Sequence, residues 1–164
     1  MSTRGYVGFY KDGIDKGGYN HCDSYPEGLG NEVLDFLKGN NIANLEKLFN
    51  EIGNIENEDR EDAWDWNNHC FNPKMQIKSN FLKDSLFCEY AYIINLSTNS
   101  LEFYEGFNKN PKASGRYAPF TVYEDRTDDR KYYGVALKMV ISLDELFEGK
   151  WYINKNEEFT EKEN

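Results

Sequence analysis

The chain has 164 residues, 39% hydrophobic and 16% aromatic, enough to bury one core without disulfide staples. Its 12 Tyr and 11 Phe exclude a disordered polymer. Acidic residues outnumber basic ones 29 to 19, a formal charge of −10, and such a field repels phosphates and anionic lipid, so neither direct nucleic-acid binding nor membrane binding is expected.

Gly5 to Tyr10 alternate around small glycines, Lys11-Asp12-Gly13 supplies turn chemistry, and Ile14 to Cys22 return as a second strand. Asp23-Ser24-Tyr25-Pro26-Glu27-Gly28-Leu29-Gly30 extends neither element and reads as a loop, with Gly28 and Gly30 at positive φ. Asn31 can cap a helix whose Val33, Leu34 and Leu37 share a face and which Gly39 ends. A second helix starts near Ile42, with Leu45, Leu48, Phe49 and Ile52 at helical spacing, and stops at Gly53. The acidic stretch from Glu51 to Asp65 leads to Trp64-Asp65-Trp66, an exposed connection pinned by two tryptophans or a rim that stacks on a flat ligand.

Leu86 to Leu96 and Leu101 to Phe107 read as a hairpin around a turn at Ser97–Ser100. A loop over 108–119 follows, then a short strand Phe120–Tyr123, a charged turn Asp125–Arg130 and a long strand Tyr132–Ile141. That last strand carries apolar residues on both alternating faces, which predicts a central, covered position. Ser142 with Glu145 forms a capping box for a short helix ending at Phe147. Together these elements predict one α+β domain over residues 1–153, a mainly antiparallel sheet with helices packed on it, and an acidic, frayed tail over 154–164.

Nothing approaches the ~18 consecutive apolar residues of a membrane span, and the opening Met1-Ser2-Thr3-Arg4 lacks the apolar stretch of a secretory signal. Three cysteines without framework spacing fit a reducing compartment, so a cytoplasmic protein is expected. Asn20-His21-Cys22 recurs as Asn68-His69-Cys70, and two His with two Cys are a zinc ligand set. Neighbours on a strand point to opposite faces, however, and neither Cys-x-x-Cys nor His-x-x-x-His spacing occurs, so no metal is expected. Phosphate-loop, dinucleotide, nucleophile-elbow and His-Glu-x-x-His motifs are missing too, and no cofactor is expected.

What remains is the N-terminal cluster. In the hairpin as drawn, Arg4 comes near Asp23 and Ser2 near Asn20, a hydroxyl, a guanidinium, a carboxylate and an amide in one small region. With Met1 removed, the α-amino group of Ser2, of ordinary pKa about 7.7–8, can act as base for its own hydroxyl. Arg4 and Asp23 then orient it and Asn20 donates to an oxyanion, giving Ser2, Arg4, Asn20 and Asp23 as candidate catalytic residues. Tyr19, His21, Ser24, Tyr25, Trp64 and Trp66 are candidate ligand-binding residues. The competing reading of the same span is structural: Asp23 and Ser24 make turns, Pro26 fixes the loop, and Arg4 closes the hairpin on Asp23.

Thr3-Arg4-Gly5, Gly8-Phe9, Lys16, Tyr19-Asn20-His21, Asp23-Ser24-Tyr25-Pro26 and Leu29-Gly30 resemble an uncharacterised family of phage and bacterial proteins. The start also resembles N-terminal-nucleophile (Ntn) hydrolases of the choloylglycine and acid-amidase type, which open on Cys, carry a nearby Arg and an Asp one hairpin on, and have an αββα fold. Here Ser2 stands where those have Cys, and the resemblance ends near residue 30. It implies a domain that binds, or cleaves, a small polar or amide ligand through the N-terminal hairpin and the Asp23–Pro26 loop. The alternative is a non-catalytic, acidic phage-type anti-defence inhibitor that docks on a host defence or nucleic-acid-processing enzyme. A third reading sequesters a nucleotide-like immune signal, with Tyr19, Tyr25, Trp64 and Trp66 stacking on a base and Arg4 with Lys16 holding phosphates.

Overall fold

The computed structural model describes residues 2–52, 62–72, 79–123 and 131–163. In chain order its elements are β1 (Gly5–Lys11), β2 (Ile14–Asn20), a π-helical turn (Pro26–Gly30), α1 (Asn31–Leu37), α2 (Ile42–Glu51), β3 (Trp64–Asp65) and β4 (Cys70–Phe71). A 3₁₀ turn (Ser79–Lys83), β5 (Tyr90–Asn95), β6 (Ser100–Glu105), β7 (Ala136–Ser142), α3 (Leu143–Phe147), β8 (Trp151–Ile153) and β9 (Phe159–Glu161) follow. The chain is thus α+β.

The first hairpin forms because Asp12 and Gly13 both adopt positive φ, 49° and 83°, the two-residue turn whose twist suits antiparallel strands. Gly8 faces Gly17 across it, and a Cβ on either would come within 2.6 Å of the other's Cα. The main sheet runs β2-β1-β5-β6-β7. Every neighbouring pair is antiparallel except β1 with β5, which the helices and the β3–β4 ribbon precede in the chain.

Alternation divides the sheet into two unlike faces. Val7, Phe9, Tyr92, Ile94, Leu101, Phe103 and Ile141 meet α1, α2, α3 and the ribbons β3–β4 and β8–β9 in the larger core. On the other face Tyr6, Ala91, Ile93 and Tyr104 lie under loops that bring Leu82, Cys88, Tyr117 and Val135. The register also puts Tyr10, Asp15, Asn95 and Glu102 on this loop-covered face. Arg116 reaches Glu102 at 2.8 Å and stacks 3.7 Å above the Tyr10 ring, and the Tyr117 hydroxyl donates to Asp15.

Several expectations are corrected. The strand predicted from Tyr132 is an edge strand over 136–142, with Val140 55% exposed; its second apolar face projects past the loop cover at the sheet margin. Residues 120–123 are not a strand, and the strand predicted from Leu86 begins at Tyr90. Ser142 is the N-cap of α3 without a side-chain bond, and Glu145 instead accepts from the Trp151 indole at 3.0 Å. The tail is tied down: β9 pairs with β8, and Phe159 is buried against Phe103 and Tyr92. The acidic stretch over 53–61 and the charged turn over 125–130 lie outside the described residues. Among the described residues no helix is long and apolar enough to cross a membrane.

Candidate functional site

The N-terminal cluster assembles at one end of the sheet, where β1 and β5 begin and β2 and β6 end. Gly5 pairs with both Asn20 and Tyr90, and Tyr90 with Glu105. Arg4 extends the parallel ladder: its N–H donates to Glu89 Oε2 at 2.8 Å, and its carbonyl accepts from the Glu89 N–H at 3.1 Å. The Ser24 N–H donates to the Thr3 carbonyl at 3.1 Å, which draws the loop after β2 against the chain start. Gly5 lets this happen, since a Cβ there would sit 2.6 Å from the Ser24 Cβ.

Within that loop the left-handed residue is Asp23, at φ 56°, rather than Gly28 or Gly30. Gly28 answers a different need: a Cβ on it would lie 2.2 Å from the Asp23 carbonyl, whose oxygen caps Leu29. Asn20 and Ser24 are fully buried and mutually bonded. Asn20 Nδ2 donates to Ser24 Oγ and to the Cys22 carbonyl, both at 2.8 Å, while its Oδ1 accepts from the Trp66 indole at 3.1 Å. With both amide protons committed, Asn20 holds the loop and has none left for an oxyanion. Ser24 does the same work, its carbonyl accepting from the Tyr92 hydroxyl at 2.7 Å.

The expected Arg4–Asp23 ion pair is not formed: among the described residues no ion pair joins them. The Arg4 guanidinium instead lies 5.5 Å from the Phe87 ring centroid and beside the Tyr19 hydroxyl. Burial raises the Tyr19 pKa, and the nearby Arg4 charge opposes that rise. Asp23 acts on Tyr25, whose phenol it pushes upward by charge repulsion. Ser2 approaches His21, not Asn20: Ser2 Oγ lies 3.4 Å from His21 Nε2, and the other ring nitrogen, Nδ1, is 2.6 Å from the Tyr19 hydroxyl.

Trp64 is buried at 1% exposure, its ring edge-on to Phe36 and Phe71 and its indole bonded to Glu32, so no face is left to stack on a ligand. Lys16 donates to the Phe49 carbonyl from 2.8 Å on the helix-covered face, which separates it from Arg4. His69 bonds to Glu32 at 2.8 Å, apart from His21, whose backbone N–H is held by Asp62. Among the described residues no three His, Cys, Asp or Glu converge as metal ligands.

Against Thr3 opens a cleft of about 450 Å³ that the sequence did not disclose. Thr3, Tyr25, Glu89, Tyr90, Glu105, Phe107 and Glu157 line it, with the Gly106 backbone between the last strand residue and Phe107. Gly106 is obligatory, because a Cβ there would lie 2.0 Å from the Cys88 carbonyl. The bend places Phe107 at φ 54° and leaves its ring 56% exposed at the rim. One Glu89 oxygen holds the Arg4 amide, whereas the Glu105 and Glu157 carboxylates have no ion-pair or hydrogen-bond partner among the described residues. Their charge, after burial, raises the Tyr90 pKa. Three carboxylates and three aromatic rings facing one space, with no cationic side chain among the described residues that line it, suit an ammonium or guanidinium group. Comparison with protein-family models, curated proteins and solved structures returned no match.

Proposed function

We propose that the protein binds a small polar ligand bearing a cationic nitrogen in the cleft between the N-terminal hairpin, the Asp23–Pro26 loop and the Glu157 turn. The observation that carries this reading is the pair of carboxylates, Glu105 and Glu157, without a partner among the described residues and set with Glu89 among Tyr25, Tyr90 and Phe107. In a protein of charge −10, such a site attracts cations from a distance and holds them at contact range through carboxylate and ring quadrupole together. The likeness of the chain start to Ntn hydrolases points to the same end of the sheet, and an αββα kinship belongs to this proposal.

A thermal-shift titration with choline, agmatine and arginine amide tests it. Occupation at 100 times Kd stabilises by about 2.7 kcal/mol, a Tm rise of roughly 5–11 °C in a domain of this size. Glu105→Gln/Glu157→Gln should abolish the rise while leaving the unliganded fold intact. No rise with any of these amines, or an equal rise in the double variant, refutes the site.

Phe107 at the rim and Phe87 nearby, 56% and 46% exposed, favour a second reading. In it the same cleft receives a Lys or Arg side chain of a host defence or nucleic-acid-processing enzyme, with the protein acting as a phage-type inhibitor. Binding would then require Phe107, and free amines would compete only weakly.

A further inference from the structure

We propose that Ser2 and His21 form a nucleophile–base pair for acyl transfer, with Tyr19 as a positioning residue. The inference rests on the reading of the adjoining cleft as a ligand site, because Thr3, the next residue after Ser2, is part of its wall. The geometry is that of an assembled relay: Ser2 Oγ is 3.4 Å from His21 Nε2, and Nδ1 of the same ring is 2.6 Å from the Tyr19 hydroxyl. For Nε2 to accept a proton, Nδ1 must carry one, and the Tyr19 oxygen is placed to receive that N–H bond. Tyr19 is itself fixed by its ring packing on Phe81, 5.3 Å between centroids, and by Arg4 beside its hydroxyl. The His21 backbone N–H is anchored by Asp62 Oδ1 at 3.0 Å. Ser2 and His21 are exposed, so a substrate carbonyl can reach them. The pair does not use the α-amino group of Ser2, and so differs from the mechanism expected from the chain start alone.

The step balances without a co-reactant other than water. Ser2 Oγ forms a bond to the carbonyl carbon of an amide or ester as its proton passes to His21 Nε2. The tetrahedral adduct collapses by breaking the bond to the leaving nitrogen or oxygen, which takes the proton from His21. Water, deprotonated by the same nitrogen, then adds to the acyl carbon, and the C–Oγ bond breaks as the proton returns from His21 to Ser2 Oγ, releasing a carboxylic acid. A cationic group on the substrate would sit among Glu89, Glu105 and Glu157.

The test is covalent labelling of the full chain, carrying no N-terminal tag, with an alkyl fluorophosphonate, in which Ser2 Oγ displaces fluoride at phosphorus. The expected result is a single adduct by intact mass, mapped to Ser2 and abolished in Ser2→Ala. His21→Gln should slow labelling about 100-fold, in the range that a positioned base supplies. Tyr19→Phe keeps the ring packing and should lower the maximal inactivation rate with the half-saturating probe concentration unchanged, a split that a merely structural loss would not give. Each variant is checked for unchanged Tm. No adduct on the wild type, an adduct that survives Ser2→Ala, or an undiminished rate in His21→Gln overturns the proposal. The amine titration on the same samples separates the two readings: an amine-induced Tm rise without an adduct leaves the cleft and removes the nucleophile. An adduct on Ser2 that no amine slows, with no amine-induced Tm rise, leaves the nucleophile and removes the cleft.

Discussion

Asp15 illustrates how a single side chain ties sequence to energetics. It sits on the loop-covered face, where the Tyr117 hydroxyl donates to it and Arg116 lies nearby. Burial pushes its pKa above the usual carboxylate value and outweighs both of these favourable partners. The native state therefore holds the Asp15 proton more tightly than the unfolded chain does. That contribution to stability is complete below the unfolded pKa, near 3.8, and is lost as pH rises through the higher native value. Asp15→Asn keeps an acceptor for Tyr117 but has nothing to ionise. Urea unfolding across the acidic range should thus show the variant gaining on the wild type as pH rises through that window. Above it the gap should be constant. A variant that instead loses ground to the wild type as pH rises would mean that Tyr117 and Arg116, not burial, dominate the site.

At the scale of elements, what the sequence disclosed was local chemistry. The Asp12-Gly13 turn, the glycine-spaced first strand and the Tyr90–Glu105 hairpin are set by neighbours in the chain, and they form. The grouping of Ser2 and Arg4 with Tyr19 to Asp23 was legible for the same reason, since hairpin register places chain start against strand end. Within it the pairings differed, because Glu89 and Phe87, some 85 residues on, claim Arg4. The cleft was not legible at all. Glu89, Glu105 and Glu157 come from three segments with no periodicity linking them, and only tertiary contact marks them as one site. The tail shows the dependence most clearly. Phe159 lies 5.0 Å from Phe103, centroid to centroid, in the larger core, and Asn154 bonds Glu158 and Glu157 across the β8–β9 turn. Phe159→Ala should cost about 3 kcal/mol by urea midpoint, the usual loss for a buried ring. It should also release the turn that carries Glu157, so the amine-induced Tm rise should disappear along with the stability. If amines still stabilise the variant fully, Glu157 is not part of the binding site.

For the molecule as a whole, the excess of negative charge sets a sign that local pairs cannot reverse. The ion pairs Lys11–Glu46, Lys47–Glu51 and Lys150–Glu148 are all at least a third exposed on one or both partners, and such pairs are worth about 0–1 kcal/mol each. Against them stands a net charge of −10, whose self-repulsion opposes the compact state and is screened once charges are separated by more than the Debye length, ~8 Å at physiological salt. Screening removes some attraction from the few close pairs and more repulsion from the many distant ones. Raising sodium chloride from about 0.02 to 0.3 M, where the Debye length falls to roughly 6 Å, should therefore raise Tm, the reverse of what a surface stabilised by salt bridges would do. The Glu105→Gln/Glu157→Gln double variant, with two carboxylates removed from one cleft, should start from a higher Tm at low salt and gain less as salt is added. A Tm that falls with salt in the wild type would show that the paired charges, and not the unpaired ones, govern the stability of this fold. It would also take from the cleft its claim to be the place where unbalanced charge is held for a ligand.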